Sequence, residues 1–268
     1  HKVIRQNHVG DWGTQFGMLI AYLDSAGTSA DDLKDLEIFY QKAKKQFDED
    51  PDFAEKSRAY VVALQQDQPD VLVKWRAFIE ISMSHCEAIY KDLNVTLHQK
   101  DTFGESQYKG TIPSILETLT EEGLLTESNA ALCVFLDEFT DKNGEKQAVI
   151  VQKSDGGYLY ATTDLAAIHH RAHELEADRI LYFVDARQTL HFKQIFALAR
   201  KARLCTPNLA LRHISNGAIL NKAGKPFKTR DGNTVKLADL IKESRYRAKE
   251  LFLAKNEKAD ISSVEEIA

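Results

Sequence analysis

The chain has 268 residues, enough for about two domains of ordinary size. Hydrophobic residues make up 43% and charged residues 28%, with 13 Gly and 5 Pro, which excludes collagen-like, low-complexity and largely disordered classes. The net charge of −5 excludes a uniformly basic nucleic-acid coat, so any polyanion has to be met by a local basic surface. Cys86, Cys133 and Cys205 are odd in number and far apart, which leaves neither a disulfide framework nor a CxxC zinc knuckle and fits a reducing, cytoplasmic setting. No apolar run approaches the roughly 18 residues that span a bilayer, and no signal peptide opens the chain, so no membrane partner is expected. His1 stands first and leads directly into Lys2-Val3-Ile4-Arg5; the expectation is a piece of a longer protein, entered in mid-domain.

In chain order, residues 2–9 read as a strand, Gly10 to Gly13 as a tight turn, and Phe16, Leu19, Ile20 and Leu23 as one face of a helix. Residues 25–70 are acidic, with helical spacing in Leu36, Phe39, Tyr40, Ala43 and Phe47, and read as a solvated helical insertion. Trp75, Phe78, Ile79, Ser82, Cys86, Ile89 and Leu93 mark a long amphipathic helix, and Val95 to Leu97 a short strand. Leu132 to Leu136 and Ala148 to Val151 flank Asn143-Gly144, a hairpin signal. A second turn, Ser154 to Gly157, leads into a strand over Tyr158 to Ala161. Helix over 164–175, strand over Ile180 to Val184, helix over 188–203 and strand over Leu211 to Ile214 then alternate, which predicts parallel crossovers and a doubly wound sheet. In that architecture ligands sit beyond the carboxyl ends of the strands, here after Val9, Ala161, Val184 and the strand beginning at Leu211.

Gly10, Gly13 and Gly17 open a helix after the first expected strand, but their spacing is neither GxGxxG nor a Walker A sequence. A purely structural reading has Gly10 making the turn, Asp11 capping the helix, and Gly13 and Gly17 allowing close packing. Tyr160, Asp164 and Gln188 fall at strand ends and helix starts. A phenol, a carboxylate and a carboxamide there suit a planar, cationic, hydrogen-bond-rich ligand, because an ionised carboxylate accepts two parallel N–H bonds from a guanidinium. The structural alternative makes Asp164 and Gln188 helix N-terminal residues. His169, His170 and His173 share a helix face, but no HExxH pattern or third ligand accompanies them, and no resident metal is expected. Asn221 to Gly232 is basic and glycine-punctuated, and over 221–249 nine Lys and Arg face three acids. Such a loop either stabilises charge on transferring phosphates or is a solvated turn.

Taken together, Asn7-His8-Val9-Gly10-Asp11-Trp12-Gly13-Thr14-Gln15-Phe16-Gly17, Gly156 to Asp164, Val184 to Gln188 with His191-Phe192, and Phe227-Lys228-Thr229-Arg230 resemble the bacterial arginyl-tRNA synthetases in order and spacing, from about residue 1 to 255. The resemblance implies an α/β protein with the Rossmann-like fold of class I aminoacyl-tRNA synthetases, a parallel sheet with helices on both faces and an α+β insertion. It divides the chain into a split nucleotide-binding core (1–24 and 148–236), an insertion (25–147) and the start of a helical stem (237–268). It implies activation of L-arginine with ATP and magnesium, transfer to tRNA(Arg), and a full-length monomer. Carried over by motif, Tyr160, Asp164 and Gln188 read the arginine side chain. Lys225, Lys228 and Arg230 stand in the loop that holds ATP phosphates, with the second signature lysine replaced. His8, Gly10, Asp11 and His191 border the active site. The family's His-x-Gly-His signature is not found in these 268 residues, nor is its Ser-Pro-Asn segment, so the expectation is that they alone do not aminoacylate tRNA. Two alternatives stand beside this reading: a non-catalytic arginine- or RNA-binding module derived from a synthetase, and an unrelated nucleotidyltransferase of similar fold.

Overall fold

The structure is a computed structural model, and it describes residues 1–27, 36–217 and 237–255. Helix α1 (Thr14–Ala26) forms on the Phe16, Leu19, Ile20, Leu23 stripe and ends at Gly27, whose φ of 60° is the left-handed conformation that favours glycine. Its N-cap is Gly13, without a side-chain cap; Asp11, expected as a cap, is engaged elsewhere. Helices α2 (Leu36–Glu49) and α3 (Pro51–Gln65) occupy the acidic stretch, as its periodicity predicts. Between them the Asp50 carboxylate accepts hydrogen bonds from the N–H groups of Asp52 and Phe53, and Pro51 begins α3 where a missing N–H costs nothing. Gly17 lets α1 and α3 close on each other: a β-carbon there would stand 2.3 Å from the Ser57 carbonyl oxygen and 2.5 Å from Val61 Cγ2.

Helix α4 (Pro69–Asp92) follows, then the short 3-10 turns Gln99–Asp101 and Glu105–Thr111, and helix α5 (Ile112–Glu121), which buries Ile112, Ile115 and Leu119. An antiparallel sheet comes next, in the order β1 (Thr126–Ser128), β2 (Ala131–Thr140), β3 (Lys146–Gln152). The Asn143-Gly144 hairpin forms as expected: Gly144 has φ 83°, and the Asp141 carboxylate accepts from the N–H groups of Asn143 and Glu145.

Helix α6 (Tyr160–His173), strand β4 (Arg179–Asp185), helix α7 (Thr189–Lys201) and strand β5 (Ala210–Asn216) then alternate. β4 and β5 pair in parallel from Arg179↔Ala210 to Asp185↔Asn216, with α7 as the crossover, so the α/β reading holds. Tyr182 of β4 packs on Phe192 and Phe196 of α7 at ring separations of 4.8 and 5.4 Å. On the opposite face of this pair Leu181, Phe183 and Ile214 are exposed, Phe183 by 72%.

Three expected strands are absent among the described residues. Residues 2–9 form a single bridge, Asn7↔Thr102, because Lys2 to Arg5 have no neighbouring strand to complete a ladder; Val3 and Ile4 stay exposed. Val95 to Leu97 are irregular, lying between the end of α4 and a 3-10 turn. Tyr158 makes one bridge to Gln152, and the helix starts at Tyr160, earlier than 164, with extended Leu159 as its N-cap.

The described residues of 1–83 and 97–217 form one unit, and those of 84–96 and 218–268 a second. In the second, helix α8 (Leu237–Lys255) is tied to the end of α4 by Arg245, whose guanidinium donates to the Asp92 carboxylate (3.4 Å) and carbonyl (3.2 Å). The close approach at Gly17 gives the first test. Gly17→Ala should destabilise the chain by about 1 to 3 kcal/mol through overpacking, read as a lower urea midpoint with an unchanged slope. An unchanged midpoint would contradict the α1–α3 packing.

Candidate functional site

Four segments of the first unit converge: residues 6–11, the 3-10 turn at 105–111, α6, and the start of α7. The extended Leu159 cap places Tyr160 in the first turn of α6 and Asp164 one turn later, so the two side chains fall on one face of the helix. The Asp164 carboxylate is nearly buried, with 7% exposure. Its Oδ2 lies 2.6 Å from His191 Nε2 on α7, and its Oδ1 lies 3.8 Å from His8 Nε2. Tyr160 is 59% exposed and sets its ring edge-on to His191, centroids 4.9 Å apart. The structure thus brings Tyr160, Asp164, His191 and His8 together. Gln188 caps α7 one turn before His191 and is exposed; among the described residues it makes no hydrogen bond to Tyr160 or Asp164.

Asp11 is buried, and its role is bracing. Its carboxylate accepts from the Ser106 N–H (2.8 Å) and hydroxyl (2.6 Å), while its carbonyl accepts from Trp75 Nε1 (2.6 Å). This clamps the 3-10 turn to the glycine-rich segment, and Gly104 makes room for it, since a β-carbon there would lie 2.2 Å from Asp11 Oδ2. Gly10 sits over Glu105: its hypothetical β-carbon is 3.7 Å from Glu105 Oε1. Lys225, Lys228 and Arg230 lie outside the described residues.

The sequence pattern does not single out Glu105, which the fold delivers from a short 3-10 turn. Burial raises its carboxyl from the ordinary 4.5 to about 7, and the neighbouring charges of Asp164 and Asp11 push the same way. Burial lowers the affinity of His8 for a proton; Asp164 opposes this and Arg171 adds to it. His8 Nδ1 is buried without a hydrogen-bond partner among the described residues. Asp164, Glu105 and Asp11 thus lie within electrostatic reach of one another, His8 and His191 are the basic groups within 4 Å of Asp164 among the described residues, and the orphan His8 nitrogen lies in the same region. Such a place stabilises a cation with several N–H donors. On the same helix as Asp164, the rings of His169 and His173 lie tilted with centroids 4.5 Å apart, and His170 pairs with Glu174 at 3.0 Å. Among the described residues no group of three or more His, Cys, Asp or Glu is placed to hold a metal.

The raised Glu105 carboxyl has a stability consequence with a definite sign. Both states hold the proton below pH 4.5, and between about 4.5 and 7 only the unfolded chain gives it up, so this residue costs stability increasingly as pH rises through that window. Glu105→Gln should be more stable than the parent by an amount that grows from about pH 5 to 7 and then levels off. Denaturant unfolding at several pH values reads this, and a pH-independent difference would contradict the half-buried position of Glu105 beside Asp164 and Asp11.

The family described as "tRNA synthetases class I (R), catalytic domain" matches residues 1–268. An arginine–tRNA ligase of Hahella chejuensis is 52% identical over 261 residues, covering 96% of this chain and 45% of the relative. One of Pseudomonas aeruginosa is 54% identical over 256 residues, covering 95% and 44%. The crystal structure of the arginyl-tRNA synthetase of Plasmodium falciparum superposes with a TM-score of 0.74 at 31% identity, covering 98% of this chain and 43% of that one. The arginyl-tRNA synthetase of Thermus thermophilus, at 17% identity and a TM-score of 0.64, shares the fold over 97% of this chain and 48% of its own. The chain thus spans about 45% of the length of the curated relatives it matches. With the family matched from its first residue to its last, the chain belongs to the class I tRNA synthetases of the arginine type, as part of their catalytic domain.

Proposed function

We propose that the space beside Asp164 binds the guanidinium of L-arginine, and that the chain serves as the central part of the catalytic domain of an arginine–tRNA ligase. The observation that carries this is the convergence of the buried Asp164 with Glu105, where the basic groups within 4 Å of Asp164 among the described residues are the imidazoles of His8 and His191. A planar guanidinium offers five N–H donors in a fixed fork, which two carboxylates and the Tyr160 phenol accommodate. Lysine has a point-like ammonium without that fork and is rejected. Gln188, at the head of α7, closes the set from the side of the β4 carboxyl end.

In the reaction we assign to the whole protein, the arginine carboxylate attacks the α-phosphate of ATP, pyrophosphate leaves, and a terminal ribose hydroxyl of tRNA(Arg) then displaces AMP. Magnesium enters with the ATP phosphates as part of the substrate. His8, Gly10, Asp11 and His191 border the reacting groups, and Lys225, Lys228 and Arg230 contact phosphate. We place the nucleotide-binding core in residues 1–24 and 148–236, the insertion in 25–147 and the stem in 237–268, and expect a cytoplasmic, monomeric full-length protein. No helix among the described residues is long and apolar enough to cross a membrane.

Calorimetric titration tests the pocket. L-Arginine should bind saturably and L-lysine should not. Asp164→Asn should weaken arginine binding by about 1.5 to 3 kcal/mol for each charge-assisted bond lost. With the Glu105 carboxyl near 7, the guanidinium should drive off about half a proton at pH 7, seen as a heat that varies with the ionisation enthalpy of the buffer. Equal binding of lysine, or an Asp164→Asn variant that binds as the parent does, would refute the assignment.

A further inference from the structure

Arg171 lies two turns beyond Asp164 on α6, and at 8% exposure it is the buried cation of this region. Its guanidinium reaches three other segments. Nε donates to Gln6 Oε1 at 2.7 Å, Nη2 donates to the Tyr108 hydroxyl at 3.3 Å, and the guanidinium carbon stands 5.2 Å from the centroid of the Tyr182 ring. Each of these partners belongs to a segment that also delivers a residue to the pocket. Gln6 is two residues before His8, Tyr108 is three residues after Glu105, and Tyr182 lies on β4, which runs toward Gln188. Tyr108 is itself fully buried and sets its ring 5.8 Å from that of His8.

A buried guanidinium is costly unless its charge is balanced. Among the described residues no carboxylate forms an ion pair with Arg171, and the carboxylate whose field acts on it is Asp164. Arg171 is therefore joined to the pocket twice, mechanically through Tyr108 and Gln6 and electrostatically through Asp164 and His8. Resting on the reading of the pocket as an arginine site, we propose that Arg171 is a positioning residue for arginine binding: it fixes the wall made by Tyr108 and His8 and sets its own positive charge against any on His8, so that Asp164 remains open to the substrate guanidinium.

The groups that face His8 are Asp164 and Arg171 on α6, Asp11 in the glycine-rich segment and Tyr108 on the 3-10 turn; Glu105 and His191 face the same Asp164. Asp164 and Asp11 favour a proton on His8, whereas burial and Arg171 oppose it. Removing the Arg171 charge lets the imidazole protonate at a higher pH. An imidazolium 3.8 Å from Asp164 Oδ1 is then a competitor for the carboxylate that arginine needs.

The test is a series of L-arginine titrations between pH 5.5 and 8.5 on the parent chain, Arg171→Met, Arg171→Lys, and Arg171→Met combined with His8→Gln, with folding of each checked by circular dichroism. Arg171→Met should bind arginine about tenfold or more weakly near neutral pH, and the acid-side fall of its affinity should move up by about half a pH unit or more. Adding His8→Gln should abolish that upward move without restoring full affinity. Arg171→Lys, which keeps the charge and loses the fork, should return the pH profile of the parent while binding several-fold more weakly. A folded Arg171→Met with the parent's pH profile would overturn the proposal, because a purely structural defect lowers affinity at every pH alike. If Arg171→Met does not fold, Arg171→Lys decides, and parent-like affinity in that variant overturns the positioning role. Failure of the parent itself to bind arginine would overturn the pocket assignment, and this proposal with it.

Discussion

A carboxylate buried without a Lys or Arg in direct ion-pair contact among the described residues is the constraint around which this part of the molecule is arranged. Asp164 is nearly removed from water, and burial, with the charges of Asp164 and Asp11, raises the proton affinity of Glu105, yet the basic groups within 4 Å of Asp164 are imidazoles. Isolated burial of such charge is unfavourable by several kcal/mol per ion in real proteins. The fold tolerates it through the surrounding bracing: Ser106 holds Asp11, Trp75 holds the Asp11 carbonyl, and Arg171 holds Tyr108 and Gln6. A region that holds such charge in a rigid frame suits a cation with several N–H donors.

The frame has the parts that an open α/β sheet supplies. β4 and β5 are parallel, α7 crosses between them, and the start of α7 brings Gln188 and His191 to the carboxyl end of β4. α6 enters from the antiparallel hairpin side, with Thr162 bonded to the Val151 carbonyl, which fixes the rotation of the helix and thus the direction of Asp164. Positioning of the carboxylate is therefore inherited from regular elements, and such elements hold a site more tightly than loops do.

Much of this was legible in the sequence wherever a local rule applied. The helix stripes of α1, α2 and α4, the Asn143-Gly144 hairpin and the alternation from α6 to β5 follow from periodicity and turn chemistry. Tyr160, Asp164 and Gln188 were legible because they were read at element boundaries, and His191 because it stands in a motif of the resembling family. The strand expected over 2–9 fails because alternation predicts a strand but not its neighbour, and none completes it among the described residues. Asp11 looked like a helix cap because spacing cannot show that Ser106, distant in sequence, claims its carboxylate. Glu105 and Arg171 were invisible for related reasons: one sits in a short 3-10 turn that only tertiary packing brings to Asp164, and the other reads as an ordinary basic residue in the last turn of α6, its contacts with Gln6 and Tyr108 arising only in the folded chain.

The most direct measurement of the central claim is a crystal structure of the chain with bound L-arginine. The account predicts the guanidinium in hydrogen-bonding range of the Asp164 carboxylate, with Glu105 on its other side and the Tyr160 hydroxyl at its edge. A guanidinium seated elsewhere, with the contact between Asp164 and His191 intact and Glu105 still facing an empty space, would contradict it.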